Sequence, residues 1–502
     1  MSGERQLTRR GLITAGGAAA AAGALGATPA AAKAHRPSKH KVKTGAKKAD
    51  FVVIGAGFAG LTAARNIVKA GKSVIVLEAR DRVGGRVLNE DLGGGHVSER
   101  GGTFVGPTQG HLMALANELG IKTFDVYDTG DNVYIRDGQR STYSDTGPTG
   151  TAPLDPVILP DLANVVMQLD QMSTTVPVDA PWAAAQAAQW DAQTLDQWIA
   201  ANSATPQFRE LVPAATRPIF GAEARELSLL FVLFYIASSG DERNPGTFER
   251  NFNTRQGAQM SRFVGGSQKI ALDIAQALGR RVMLNTPVRR IVQSATGVTV
   301  TSNRATVKAK RAIVAVPPTL AGRIDYRPDL PTERDALTQR VPQGSLVKVA
   351  CVYDKPFWRD EGLTGTAVST DGLIQATFDD SPNEGTPGVV FGFVGGDSAR
   401  TYNRLSVDDR RKRVVDQYVQ FFGPQAGSPT QVLESNWTAE TWSRGCPVGI
   451  YSPNVLSQYG PALRAPVGRI HWAGTETSNY WNGYMDGAVR SGERAAMEVL
   501  AG

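Results

Sequence analysis

Three glycines at the spacing Gly-x-Gly-x-x-Gly, Gly55, Gly57 and Gly60, are the first residues in this chain whose pattern implies chemistry. They follow an apolar run from Asp50 to Ile54 and precede a stretch from Leu61 to Ala70 with helical spacing. A second apolar run, Ser73 to Leu77, ends at Glu78. In that context the first glycine allows a tight turn, the second lets the backbone approach a pyrophosphate, and the third lets helix and strand pack closely. The helix N-terminus then presents free N–H groups and a positive dipole end to phosphate. Glu78 stands where a carboxylate accepts from ribose hydroxyls, and it disfavours a 2′-phosphate. The pattern predicts a dinucleotide, NAD or FAD, without deciding between them. Near the C-terminus a strand ending at Gly474, then Glu476, then a helix starting near Met485, offer a second set of free backbone N–H groups. Lys348 lies inside the apolar run Leu346 to Tyr353. A lysine there is costly without a partner or a role, unless it faces outward from an edge strand. Cys446 is one of only two cysteines and sits between Gly445 and Pro447. No HExxH, CxxC or GxSxG pattern competes, and the five histidines are scattered, so no metal set is expected.

The chain that must position these groups has 502 residues, with 41% apolar and 20% charged residues. That is too long for one simple core, so two domains or a large composite are expected. The net charge of +7 would suit a nucleic-acid partner if it were spread over the body. It is not. Residues 1–50 hold ten Lys/Arg against two Asp/Glu, and the remainder holds 44 basic and 45 acidic residues. The basic character belongs to a tail, and Lys39 to Lys48 read as a solvated linker, so no nucleic-acid partner is expected. Arg9 and Arg10 precede a weakly hydrophobic Ala/Gly run and the small-residue sites Ala30-Ala31-Ala32 and Ala32-Lys33-Ala34. This order resembles a twin-arginine export signal, which implies a periplasmic or secreted protein carried across already folded. The run is poor in Leu, Ile and Phe, so no permanent membrane anchor is expected. From about Phe124 to Gln259 the strand–helix rhythm gives way to Pro-rich connections and helical stretches. The apolar run Leu227 to Ile236 is too short to span a bilayer and predicts a buried core helix. The earlier rhythm returns at Phe263 to Lys269 and at the strand Ala312 to Val316.

Arg80-Asp81-Arg82-Val83-Gly84-Gly85-Arg86, the loop Glu99 to Gln109, and the blocks 263–318 and 442–495 together resemble the flavin amine oxidases, in the monoamine-oxidase branch. The resemblance covers nearly everything after residue 50. It implies an α/β fold: a Rossmann-like FAD-binding domain (50–123, 260–337 and 440–502) interleaved with an α+β substrate domain (124–259 and 338–439), after a signal (1–34) and basic linker (35–49). It implies FAD, with cofactor contacts from Gly55, Gly57, Phe58, Ala59, Gly60, Glu78, Ala79, Arg80, Gly85, Gly102, Thr103 and Gly474. By the same resemblance Arg86 faces the pyrophosphate, the Val288 backbone meets the adenine, Glu476 lies near the ribityl or phosphate region, and Met485 touches the flavin ring. Lys348 holds a water near flavin N5, and Tyr484 is one wall of an aromatic cage. Gln259 lines the substrate cavity. The opposite wall falls at Pro447, which is not aromatic, and Trp481, Phe104 and Tyr451 are the candidates to replace it. In the mitochondrial members the cysteine of this motif is bonded to the flavin's 8α-methyl. Covalent attachment through Cys446 and a small buried thiol beside the ring both remain open. The implied reaction is hydride transfer from the carbon alpha to an amine onto flavin N5, hydrolysis of the imine, and reoxidation by oxygen to give hydrogen peroxide. L-amino acid oxidation, polyamine oxidation, a dehydrogenase with another acceptor, and a flavin-binding protein without catalysis are the alternatives. A homodimer is compatible with the family.

Overall fold

Every residue of the strand Phe51–Ile54 is buried, the environment of a strand covered on both faces. It is the centre of a five-stranded sheet ordered Val282–Met283, Val74–Leu77, Phe51–Ile54, Arg311–Val314, Ile470–Trp472. All four pairings are parallel. The helices Phe58–Lys69 and Met485–Ala501 join one apolar core with Phe51 and Val53 of the central strand. The sheet thus draws strands from the beginning, the middle and the end of the chain. The computed structural model describes residues 46–146, 152–153 and 155–501. The signal-like segment 1–34 and most of the linker lie outside the described residues.

A second sheet has seven strands in the order Gln431–Asn436, Leu346–Tyr353, Gly388–Gly395, Ala376–Asp379, Leu363–Ser369, Asp131–Arg136, Gln139–Tyr143. Its pairs are antiparallel except Leu363–Ser369 with Asp131–Arg136. Leu346–Tyr353 is paired on both sides and buried at every position. Lys348 is therefore an interior lysine, not an outward one on an edge.

Residues 155–251 supply mostly helices, among them Leu159–Ser173, Leu195–Asn202, Pro206–Phe220 and Leu229–Ser238. Thr194 starts the second of these through a reciprocal capping box with Gln197. The apolar run forms a buried helix, as its length predicts, and Ser228 caps it by accepting from the Phe231 N–H. One linker expectation needs correcting. Lys47 and Lys48 are not free coil; they pair in parallel with Thr306–Ala309 and finish the edge of another five-stranded sheet. Their side chains remain exposed, so charge alone read them as linker. Among the described residues no helix is long and apolar enough to cross a membrane. The chain adopts the expected α/β class.

Candidate active site

The turn after Phe51–Ile54 carries Gly55 at φ +101°, and a Cβ there would lie 2.7 Å from the Ala315 carbonyl oxygen. A Cβ on Gly60 would meet the Gly55 oxygen at 2.0 Å. Neither position admits a side chain, so the helix Phe58–Lys69 starts hard against the strand. Its N-cap is Gly57, with no side-chain cap and no acid in the first turn. The uncapped N-terminus borders a cavity of ≈ 310 Å³. Gly55, Gly57, Phe58 and Ala59 line one wall, and Gly85 and Arg86 another. A Cβ on Gly85 would approach the Gly57 Cα to 3.2 Å, so only bare backbone leaves this channel open. Open N–H groups, a helix dipole and a first turn without an acid fit a diphosphate.

At one end Glu78 is 4% exposed. Its carboxylate accepts from the Ala56 N–H (2.7 Å) and the Arg80 N–H (2.9 Å). Each oxygen keeps lone-pair capacity for a ribose hydroxyl. Ala79, Arg80 and Val288 continue that wall. The residues therefore fit the ribose and diphosphate of FAD. Arg86 also reaches across the site: it donates to Glu476 through two nitrogens (2.6 and 3.0 Å), to the Pro447 carbonyl (2.6 Å) and to Gln343 (3.1 Å). Glu476 is fully enclosed. Burial opposes its charge, but the Arg86 guanidinium and Gln343 hold its carboxyl below the usual range.

The middle of the cavity brings Gly102, Thr103, Lys348, Cys446, Gly474 and Met485 together. The Lys348 ammonium donates to Thr103 Oγ1 at 2.7 Å and sits 3.5 Å from the Phe391 ring centroid. Burial pulls it down to about 8, against the fields of Asp380 and Glu99, which favour its charge. Burial pushes the Cys446 thiol up to about 12.

Beyond Lys348 the lining is Phe104, Ala214, Pro218, Ile219, Tyr235, Phe252, Gln259, Ala376, Phe378, Phe393 and Tyr484. Gln259 donates from Nε2 to the Asn251 carbonyl, and its Oε1 has no partner among the described residues. Tyr484 donates to Asn251 Oδ1 at 3.1 Å. A second cavity of ≈ 200 Å³ shares Ala214, Ile219, Tyr235, Phe252, Ala376 and Phe378 with the first.

Three expected residues stand behind the walls. Gly60 packs the helix, Glu476 acts through Arg86, and Trp481 backs Tyr484 edge-on at 4.9 Å while donating to Thr108. Tyr451, also a candidate wall, packs against Phe231 in the helical core. Phe104 does line the cavity. The aromatic that adjoins Tyr484 in the lining is Tyr235, from the Leu229–Ser238 helix, 5.8 Å away and tilted by 41°. A molecule between two rings needs about 7 Å, two van der Waals contacts, so these rings form a corner and not a sandwich. Sequence reasoning missed Tyr235 because it lies in a run that reads as core. The available signal was its hydroxyl, the only polar group from Leu229 to Ile236.

The sequence matches the family described as flavin containing amine oxidoreductase over residues 58–500. A pyridine nucleotide-disulphide oxidoreductase family matches residues 2–95. The flavin-containing amine oxidase B of Sus scrofa is 38% identical over 460 residues, covering 90% of this chain and 86% of that protein. A solved putrescine oxidase bound to putrescine superposes with a TM-score of 0.86 at 33% identity, over 91% of this chain and all of the other. The cyclohexylamine oxidase of Brevibacterium oxydans superposes with a TM-score of 0.85 at 34% identity, over 90% of this chain and 99% of the other. With a glycine-walled channel that fits FAD and a buried lysine at its middle, the chain belongs to the flavin-containing amine oxidases.

Proposed function

We propose that this enzyme oxidises apolar monoamines and passes the electrons to oxygen, releasing hydrogen peroxide. The observation that carries the reading is the lining beyond Lys348: aromatic and aliphatic groups, one glutamine, and no carboxylate. The chemistry FAD supplies is acceptance of a hydride equivalent at N5 from the amine's alpha carbon, after which the imine hydrolyses to an aldehyde or ketone. The chain's residues do the rest. Gly55, Gly57 and the start of the Phe58–Lys69 helix would hold the diphosphate, and Glu78 would hold the ribose. Tyr235 and Tyr484 orient the amine, and the free Gln259 Oε1 accepts from its N–H. The apolar walls exclude water and select the neutral amine, because an unpaired ammonium there would be desolvated without compensation. The tail of a larger amine extends into the second cavity, where the one acidic lining residue among the described residues, Glu249, is exposed.

On this reading residues 50–123, 260–337 and 440–502 carry the cofactor, and 124–259 and 338–439 shape the amine site. An L-amino acid is disfavoured because no arginine lines the substrate end. The test is to mix the yellow protein anaerobically with monoamines, diamines and L-amino acids, and follow the flavin absorbance before and after admitting air. Bleaching by apolar monoamines, then recovery with peroxide, is expected. Bleaching without recovery in air would replace oxygen with another acceptor, and no bleaching by any amine would remove the reading. We further propose export through the twin-arginine route. Arg9→Lys with Arg10→Lys should retain the enzyme in the cytoplasm, and unchanged export would refute the signal.

A further inference from the structure

We propose that Glu99, Arg262 and Asp380 are positioning residues for Lys348: a buried cluster that anchors the loop on which the lysine leans and supplies the negative charge that keeps its ammonium protonated. The inference rests on the reading that Lys348 lies beside the flavin, and it concerns groups that line no part of the cavity.

Glu99 is 1% exposed, Arg262 2%, Asp380 0% and Lys348 3%. Arg262 donates to Glu99 and lies 3.0 Å from Asp380 Oδ1; its other terminal nitrogen donates to the Ser381 carbonyl at 2.6 Å. Asp380 Oδ2 accepts from the Ser98 hydroxyl (2.6 Å) and from the Glu99 N–H (3.2 Å). One end of the 98–103 loop is thereby tied to the cluster. The other end receives Lys348, at Thr103 Oγ1 (2.7 Å) and the Gly101 carbonyl (3.5 Å). Ser267 fixes Thr103 from behind by donating to its carbonyl at 2.9 Å.

The charge count gives the cluster its second role. With both carboxylates ionised, two negative charges face one guanidinium, and the cluster carries one net negative charge. The Lys348 ammonium cancels it. An uncompensated buried charge is expensive, so cluster and lysine together hold one exchangeable proton, on Lys348 or on Glu99. Glu99 Oε1 has no hydrogen-bond partner among the described residues and can take that proton. Burial first, then Asp380, pushes Glu99 up to about 7 against the pull of Arg262 and Lys348. The other charged neighbours are already committed, and Asp379, which also faces Arg262, is paired with Arg359 at 2.9 Å. Cys446 is a neutral thiol, Arg86 is paired with Glu476, and Arg100 turns to Glu90 and the Glu434 carbonyl.

The test is a pH titration of the oxidised flavin's visible spectrum in the holoenzyme, from about pH 6 to 10, which reads charge near the ring without turnover. The wild type should show a transition near 8, and Lys348→Met combined with Glu99→Gln, which removes both holders of the exchangeable proton, should abolish it. Glu99→Gln removes a negative charge and should move the midpoint down by about 1 unit. Arg262→Gln removes a positive charge and should move it up, while Arg262→Lys restores the wild-type midpoint. A merely structural cluster would change flavin content and melting temperature in every variant without moving the midpoint in opposite directions. Unshifted midpoints in Glu99→Gln and Arg262→Gln, or no wild-type transition at all, would overturn the inference. A transition that survives in the double variant would instead overturn the placement of Lys348 beside the flavin. Glu99→Gln copies the protonated form of that side chain, and Arg262→Lys keeps its charge, so one informative variant survives if the other fails to fold.

Discussion

A second ammonium on the substrate should defeat this enzyme, by an amount that follows from the lining. A monoamine must shed one proton to react, and a diamine entering the same cavity must either shed two or leave a charge unpaired among Ile219, Phe252, Ala376 and Phe378. An alkylammonium resembles lysine, with a pKa of about 10.4, so a second deprotonation at about pH 7.5 spans ~2.9 units and costs ~4 kcal/mol. The kcat/KM for 1,4-diaminobutane should therefore fall on the order of 10³-fold below that for n-butylamine. The sign of the pH effect is fixed as well. Each unit of rising pH makes the second neutral amine about tenfold more abundant, so the gap should close about tenfold per unit up to roughly pH 10. Ile219→Glu should close it at neutral pH by giving the second ammonium a partner. Oxygen uptake with both amines at a series of pH values measures the gap directly. A diamine that matches the monoamine at neutral pH, or a gap that does not change with pH, would refute the reasoning. Either result would mean that a carboxylate reaches the substrate.

Three further outcomes are expected. Tyr235→Leu should lower the rate constant for flavin reduction about 10- to 100-fold, with FAD retained, whereas Tyr235→Phe stays within a few-fold; rapid-mixing spectroscopy separates the two, because the ring forms the corner and the hydroxyl does not. Glu476→Gln leaves Arg86 in a buried site without its carboxylate and should cost about 3 kcal/mol of stability, read by thermal melting at fixed FAD concentration. The Glu476 carboxyl is held low, so its contribution is present above the ordinary glutamate pKa and is lost as pH falls through the lowered one. In Glu476→Gln the acid limb of the stability profile should flatten. The Cys446 thiol, pushed up to about 12, is a poor nucleophile, so acid precipitation should release FAD into the supernatant; yellow colour that stays with the peptide would show a covalent bond.

The parts of the site made by local chain are legible in sequence. Gly55, Gly57, Gly60 and Glu78 occupy one strand–helix–strand unit, where the spacing of the glycines reflects the turn, the channel and the helix contact directly. Lys348 is legible because a charged residue breaks an apolar run. The parts made by distant chain are hidden. Nothing in Asp131–Arg136 announces a parallel pairing with Leu363–Ser369, because that register depends on segments far apart in sequence. Tyr235 is masked by its neighbours: a helix buried all round shows no face to distinguish a core ring from a cavity ring. Trp481 misleads the opposite way. It is close to Tyr484 in sequence, yet the bend between them puts one ring behind the other. The Glu99, Arg262 and Asp380 cluster draws on three segments that no single motif connects.

The interleaved sheet has a consequence for how the protein is made. The diphosphate channel begins at Gly55, but its surroundings close only when Ile470–Trp472 pairs with Arg311–Val314 and Met485 reaches Gly102. Ribosomal synthesis delivers these pieces long after Gly55, because they lie at 470–485. A chain cut short before residue 470 lacks the Gly474 and Met485 part of the cavity lining, whereas a chain that includes them gains stability from the cofactor it binds. Flavin capture thus depends on strand and helix pieces from 470 to 485 as much as on the glycines near residue 55.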